Sequence, residues 1–349
     1  MKRRQALYRL IQASSGLIAA SLLPACETRL DPLFKFNQLN PLEPLPDHLI
    51  TPIGEFYVQS YALPPDVDIN RWQLEIAGAV NHALKLTFKE ITAAPQKNFY
   101  LTMECIGNPA GGDQIGNAEW TGTPLLPFLK MAGVTPEAVE FAMHGADYYE
   151  TTLPIAELMR PDVYLVHQMN QVPLTKEHGY PVRIIIPGHF GQKQPKWLVK
   201  LEAIAQPKQG LWERRGWSNT AEIPTHSMPR QIQNIGVWSR KHQVSLNRKG
   251  DQGWEAGVLI GGIALDKSSP IRQIQLSTDD GKTWQRADQN HPVSPHEWTL
   301  WRYLWQPKQP GNYVIMARAE SERQTQPLED RDSMDGSSGV LRIQVTLAA

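Results

Sequence analysis

The chain has 349 residues, enough for two domains that each bury a core. Its 35 Lys and Arg balance 35 Asp and Glu, which argues against a nucleic-acid partner held by phosphate electrostatics. Two cysteines, Cys26 and Cys105, exclude a disulfide framework, while 11 Trp and 28 Pro suggest a β-rich, loop-rich protein.

Residues 1–26 read as an address. Lys2, Arg3, Arg4 and Arg9 form a basic start, and Leu10 to Leu23 is apolar but short for a membrane span. This predicts an export signal, with Arg3-Arg4 similar to a twin-arginine signal. Leu23-Pro24-Ala25-Cys26 is similar to a lipoprotein cleavage site, which would make Cys26 a lipid anchor; the alternative is ordinary cleavage. Either reading places the mature protein outside the cytoplasm, in the periplasm or held by lipid on the outer side of the inner membrane. Residues 27–52 have little periodicity and suit a linker or arm.

Compact structure is expected over 53–225. Trp72–Gly78 alternates as a half-buried strand, and Asn81-His82 supplies a turn. Thr123-Pro124 opens an apolar helix that stops at Gly133, and Leu153–Met159 reads as a second short helix with Pro154 in its first turn. Val163–Val166, Val182–Ile186 and Trp197–Ile204 read as strands, the middle one apolar on both faces and therefore central. This unit is expected to be α+β. In 230–349, short strands at Ala256–Asp266, Ile271–Ser277, Trp298–Trp305, Asn312–Ala319 and Val340–Leu347, with a hairpin turn at Asp280-Gly281, predict a β-sandwich of immunoglobulin type. Nothing in it looks catalytic, and its tryptophans read as core.

The chemistry concentrates in Leu101–Leu125. A lone cysteine is usually a buried small hydrophobe. Around Cys105, however, Gly107, Gly111, Gly112 and Gly116 would let backbone approach a bulky ligand, and Asn108, Asp113 and Asn117 offer donors and acceptors. A thiol nucleophile is the second reading, disfavoured because the glycine-rich run is a poor helix. A second cluster, His178-Gly179-Tyr180-Pro181-Val182-Arg183 followed by Lys193, Lys196 and Trp197, brackets an apolar strand with groups that suit a phosphate. Scattered solvated charges are the plainer reading of these residues.

The Cys105-Ile106-Gly107-Asn108 loop and the later His-Gly-Tyr-Pro-Val-Arg…Pro-Gly…Lys-Trp-Leu segment together resemble the sulfite oxidase superfamily of molybdopterin-dependent oxidoreductases, over about Phe56 to Ala349. The resemblance implies a molybdopterin-binding domain followed by the sandwich, the latter often a dimerisation domain in that family. It implies molybdenum held by a pterin dithiolene and the Cys105 thiolate, a soft ligand that must be deprotonated. His178, Arg183, Lys193, Lys196 and Asp147 are then cofactor residues, with Tyr57, Ser60 and Tyr61 lining the pocket. Against that family, Gln59 stands where an arginine is expected, Pro109 and Ala110 follow the cysteine motif where arginines are expected, and His167-Gln168-Met169-Asn170 stands where a tyrosine segment is expected. A pocket of Gln59, His167 and Asn108 is less cationic than a small oxyanion requires. The implied activity is two-electron oxygen-atom transfer on a neutral or differently charged small substrate such as an S-oxide or N-oxide, with His167 a candidate proton donor. No heme motif Cys-x-x-Cys-His occurs, so electrons would pass to a separate partner, a cytochrome or a membrane quinol protein. The alternatives are a sulfite oxidase or dehydrogenase, a cofactor-free binding lipoprotein, and a thiol enzyme.

Overall fold

The computed structural model describes residues 44–233, 235–237, 243–250, 253–330 and 333–349. The export signal, Cys26 and most of the 27–52 arm lie outside the described residues. Among the described residues, no helix is long and apolar enough to cross a membrane.

The first half is built from β1 (Gln73–Gly78), β2 (Leu84–Thr87), β3 (Lys97–Glu104), β4 (Ile115–Pro124), β5 (Glu140–Gly145), β6 (Glu150–Pro154), β7 (Tyr164–Met169), β8 (Val172–Pro173), β9 (Arg183–Ile185) and β10 (Leu198–Ile204). They form two sheets, β2-β1-β10-β5-β6 and β3-β4-β7-β8, with β9 paired to β7. Three short α-helices, α1 (Phe88–Ala93), α2 (Leu126–Ala132) and α3 (Ile155–Leu158), and a 3-10 turn at Gly191–Lys193 join them. The half is therefore mostly β, which corrects the α+β expectation. A capping box between Thr87 and Glu90 starts α1, and left-handed Gly133, at φ 67°, stops α2. Thr123-Pro124 and Leu153-Pro154 end strands, and the helices begin after them, because the strands' pairing claims their backbone first.

The apolar run Val182–Ile186 is also placed differently from expectation. Strand β9 pairs only with β7, so it is an edge and not central. It is nevertheless buried on both faces, because the chain that follows covers its free edge: Ile184 N–H donates to the Pro195 carbonyl at 3.3 Å, and Leu198 N–H donates to the Val182 carbonyl at 2.9 Å.

The second half comprises β11 (His226–Ile232), β12 (Ile235–Gly236), β13 (Gln243–Leu246), β14 (Val258–Leu265), β15 (Ile271–Ser277), β16 (Gln285–Arg286), β17 (Asp288–Gln289), β18 (Thr299–Trp305), β19 (Gly311–Ser321) and β20 (Arg342–Leu347). Two five-stranded sheets, β12-β11-β14-β18-β17 and β13-β20-β19-β15-β16, share one core, to which Ile260, Trp301 and Trp305 come from the first and Ile274, Ile315 and Val345 from the second. Strand β20 alternates with Ile343, Val345 and Leu347 inward, the period-2 pattern of a sheet solvated on one face. Trp298, Trp301 and Trp305 are buried; full burial of each large apolar side chain contributes roughly 1.5–3 kcal/mol.

Candidate functional site

The same period-2 rule places the site. Along β3, Leu101 and Met103 face a small core with Phe56, Trp120, Val166 and Ile185, and Tyr57 packs against it. Thr102 and Glu104 point the other way, toward the sandwich: Trp298 N–H donates to Thr102 Oγ1 at 2.9 Å, and Glu104 lies 3.1 Å from His226 Nε2 on β11. Cys105 continues the odd series, its N–H donating to the Gln114 carbonyl at 2.9 Å as the last rung before the loop. The turn is tied internally, with Asn108 Nδ2 donating to Glu104 Oε1 at 2.9 Å and Asn108 Oδ1 accepting from Gln114 N–H at 3.1 Å. Buried Asn108 thus shapes the loop and has no side-chain donor directed at the thiol.

Three glycines of this loop are also required by packing within the protein. A Cβ on Gly111 would lie 2.6 Å from Leu341, one on Gly112 2.0 Å from Asn108, and one on Gly116 2.7 Å from Phe56. A Cβ on Gly107 would lie 3.8 Å from Cys105 Sγ. Ala110 packs on the sandwich core.

Cys105 is half-buried, and burial pushes its thiol up to about 11; the Gly107 N–H opposes the shift and the Glu104 carboxylate adds to it. No helix starts at Cys105, so its sulfur lacks the helix-terminus field that can activate a nucleophile. A soft metal cation would reverse the shift by binding the thiolate. Beside it, burial first and Cys105 second raise the Tyr57 phenol well above its usual value, while Arg183 opposes them. Tyr57, Cys105 and Arg183 therefore share one neighbourhood.

Arg183 leaves β9 on the same face as Ile185. It is buried under the Trp120 ring, 5.4 Å from the ring centre. Its Nη1 donates to the His178 carbonyl at 3.3 Å, its Nη2 to Met103 Sδ at 3.1 Å and to the Gln194 carbonyl at 3.4 Å, and its Nε has no partner. Among the described residues no carboxylate meets it, and burial lowers it to about 10. Lys196 Nζ donates to Ser60 Oγ and the Glu177 carbonyl, both at 2.7 Å; burial and then Arg183 lower it to about 7. His178 lies edge-on to Phe56 with Nε2 3.3 Å from the Ile53 carbonyl, and burial followed by Arg183 brings it to about 4. Gly179, at φ 107°, lets these groups converge: a Cβ there would sit 3.0 Å from Lys196 Cβ and 3.2 Å from Arg183 Cβ. Asp147 accepts from Tyr149 N–H at 3.2 Å in the β5–β6 turn; burial raises its pKa, against nearby N–H groups and Lys196.

The structure therefore brings together Cys105, Tyr57, Ser60, His178, Arg183, Lys196 and Asp147. A half-buried thiol near the buried Arg183, which no carboxylate meets among the described residues, and near Lys196, whose hydrogen bonds go to neutral oxygens, fits a ligand with a soft metal at one end and a phosphate at the other. Gln59 lies exposed at the rim, its Oε1 accepting from Gln114 Nε2 at 3.2 Å, and Tyr61 is exposed nearby under Arg215. Two expected residues fall elsewhere. His167 Nε2 bonds Gln96 Oε1 at 2.9 Å and its ring meets Phe88 edge-on, on the β7 face opposite Val166 and hence away from this core. Lys193 is fully buried in an ion pair with Glu213 and donates to the Thr152 carbonyl at 3.0 Å, so it belongs to the scaffold and not to the cradle.

Sequence reading missed other groups. Met103, two residues before the cysteine, was open to discovery through strand alternation. Trp217, whose ring would be 3.4 Å from a Cβ on Gly107, and His226, which backs Glu104, carried no motif signal.

Residues 61–212 match the oxidoreductase molybdopterin-binding domain family. The chain is 27% identical over 301 residues to the mitochondrial sulfite oxidase of Drosophila melanogaster, an alignment covering 76% of this chain and 52% of that protein. It is 25% identical over 364 residues to the sulfite oxidase of Arabidopsis thaliana, covering 88% and 89%. The chain thus spans about half the length of the animal relatives it matches. Among solved structures, the sulfane dehydrogenase SoxCD of Paracoccus pantotrophus superposes with a TM-score of 0.71 at 24% identity, over 85% of this chain and 81% of that one, a likeness of fold.

Proposed function

We propose that the chain, which is similar to sulfite oxidases and carries a molybdopterin-binding oxidoreductase domain, catalyses two-electron oxygen-atom transfer on a small substrate other than sulfite, with an S-oxide or N-oxide the best fit. The observation that carries this reading is Arg183: a buried guanidinium with no carboxylate and an unpartnered Nε, on the core face that leads to Cys105. When bound, the molybdenum–pterin group supplies the redox chemistry. This chain's residues hold and orient it. The Cys105 thiolate is the protein's metal ligand, and Arg183, Lys196 and His178 hold the phosphate and pterin end, with Ser60, Tyr57 and Asp147 around them.

For the substrate, the rim offers the neutral Gln59 amide, whose Oε1 is taken by Gln114 and whose NH2 is left to donate to an oxide oxygen. In the reducing direction the substrate's oxygen leaves as water after two electrons and two protons are taken up. The electrons come from a separate carrier, a cytochrome or a membrane quinol protein. The N-terminal sequence supports export, with Cys26 as a lipid anchor, and the sandwich is read as immunoglobulin-like and a surface for homodimers. A sulfite-oxidising activity is the second reading, favoured by the names of the relatives. Steady-state assays on molybdenum-loaded protein decide between the two: reduction of S-oxides or N-oxides with a reduced viologen dye supports the first, and sulfite turnover at rates typical of sulfite oxidases contradicts it.

A further inference from the structure

Arg214 and Arg215 are consecutive, exposed and held in different ways. Arg214 donates to the Gln209 carbonyl at 2.5 Å and lies 3.6 Å from the Glu150 carboxylate. Arg215 enters no ion pair among the described residues. Its guanidinium carbon stands 4.8 Å from the ring centre of Trp212 and 5.8 Å from that of Tyr61. Two aromatic rings fix the position of a guanidinium through its faces and leave its N–H edge open to an acceptor.

The backbone beneath is tied to the buried core. Buried Glu213, paired with Lys193 and accepting from Thr151 Oγ1 at 2.6 Å, anchors this turn. Gly216, at φ 92°, then folds the chain so that Trp217 comes back over Gly107, next to Cys105. Arg215 is therefore connected to the thiol through Trp212, Trp217 and Gly107, with the Trp212 and Trp217 ring centres 6.4 Å apart.

The other cations around the loop are committed. Arg183 and Lys196 face the cofactor cradle, and Arg230 lies buried behind the loop under the influence of Glu104 and Asp113, its Nη1 donating to the Gly111 carbonyl at 3.4 Å. We propose that Arg215 binds an anionic group on the substrate at the mouth of the site, so that the substrate is an S-oxide or N-oxide that also carries a carboxylate or sulfonate. The reacting oxygen meets neutral Gln59, and the charge, set apart from it, meets Arg215. This rests on the oxygen-transfer reading above, but it concerns binding and can be tested without turnover.

The test uses full-length, cofactor-loaded protein and two probes, methylsulfinylacetate and neutral dimethyl sulfoxide, with binding followed by tryptophan fluorescence and turnover by oxidation of a reduced viologen dye. Wild type should bind the anionic probe about tenfold more tightly than the neutral one, the ratio expected of one charge-assisted contact at a solvent-accessible site. Added salt should shrink that preference. Arg215→Gln should bring the ratio close to one, Arg215→Lys should keep part of it, and Arg214→Gln should leave it as in wild type. Binding preference without turnover of either probe would support Arg215 while overturning the oxygen-transfer reading. Equal binding of both probes by wild type, or an Arg215→Gln protein that keeps the preference, would overturn the proposal.

Discussion

Two pairs of buried or half-buried basic residues, Lys193 with His226 and Arg183 with Lys196, differ in what faces them. Lys193 and His226 belong to the scaffold and each has a buried acid: Glu213 for the first, and Glu104 at 3.1 Å for the second. Arg183 and Lys196 hydrogen-bond carbonyls, a hydroxyl and a thioether, and the carboxylates of Asp147 and Glu177 act on Lys196 without a hydrogen bond to it. The electrostatics follow. Glu104 raises His226 despite its burial, and Glu213 opposes the lowering of Lys193, whereas burial takes Arg183 to about 10 and Lys196 to about 7. A buried charge that lacks its counter-ion is costly to keep, so the first set completes the fold, and the second, with Arg183 unpaired, suits the anion of the proposed cofactor.

The largest effect expected from this difference is on the scaffold side. Lys193→Ala leaves Glu213 buried without its cation and should lower unfolding free energy by about 3–5 kcal/mol, whereas Lys193→Met with Glu213→Leu should be nearly neutral. Denaturant unfolding measures both, and cofactor content per folded chain should not change. On the cradle side the signs separate. Arg183→Met should weaken cofactor retention by about a hundredfold, as loss of a buried charge-assisted contact does. The cofactor-free chain should be as stable as wild type or more so, because an unpaired buried charge has been removed. A loss of several kcal/mol in that cofactor-free protein would erase the distinction between the two sets.

The His226–Glu104 contact gives a smaller, pH-dependent effect. The folded pKa of His226 is raised above its ordinary value near 6.5. Its contribution is therefore complete below that value and is lost as pH rises through the raised one. His226→Gln should remove this part of the fall in melting temperature on the alkaline side, which thermal scans across pH would show. Smallest is Ser60→Ala, which takes one of two acceptors from Lys196 and should cost about 1 kcal/mol in cofactor retention, measured by pterin content after dialysis.

The parts legible in the sequence were those with local signatures. Alternation marked β20 and β1, and the cysteine loop and the His178–Lys196 segment carried their motif in the order of residues. What required tertiary pairing was not legible. Arg183 and Lys193 look alike as basic residues in one segment, and only Glu213, twenty residues beyond Lys193, separates their roles. His167 fell to the opposite face because strand register, invisible to a motif, puts Val166 toward the cradle core. The run Val182–Ile186 suggested a central strand, since a covering loop buries an edge as completely as a neighbouring strand does. Three of the four loop glycines answered to Leu341, Asn108 and Phe56, two of them distant in sequence.

The central claim is that Cys105 is the protein's own metal ligand. X-ray absorption at the molybdenum edge, on protein exported from its own host and compared with Cys105→Ser, tests it most directly. Wild type should contain molybdenum with one more sulfur ligand than the Cys105→Ser protein, whose oxygen-transfer activity should fall to background. An unchanged sulfur count in Cys105→Ser, or a wild-type protein free of molybdenum whose activity is nonetheless abolished by thiol alkylation, would contradict it.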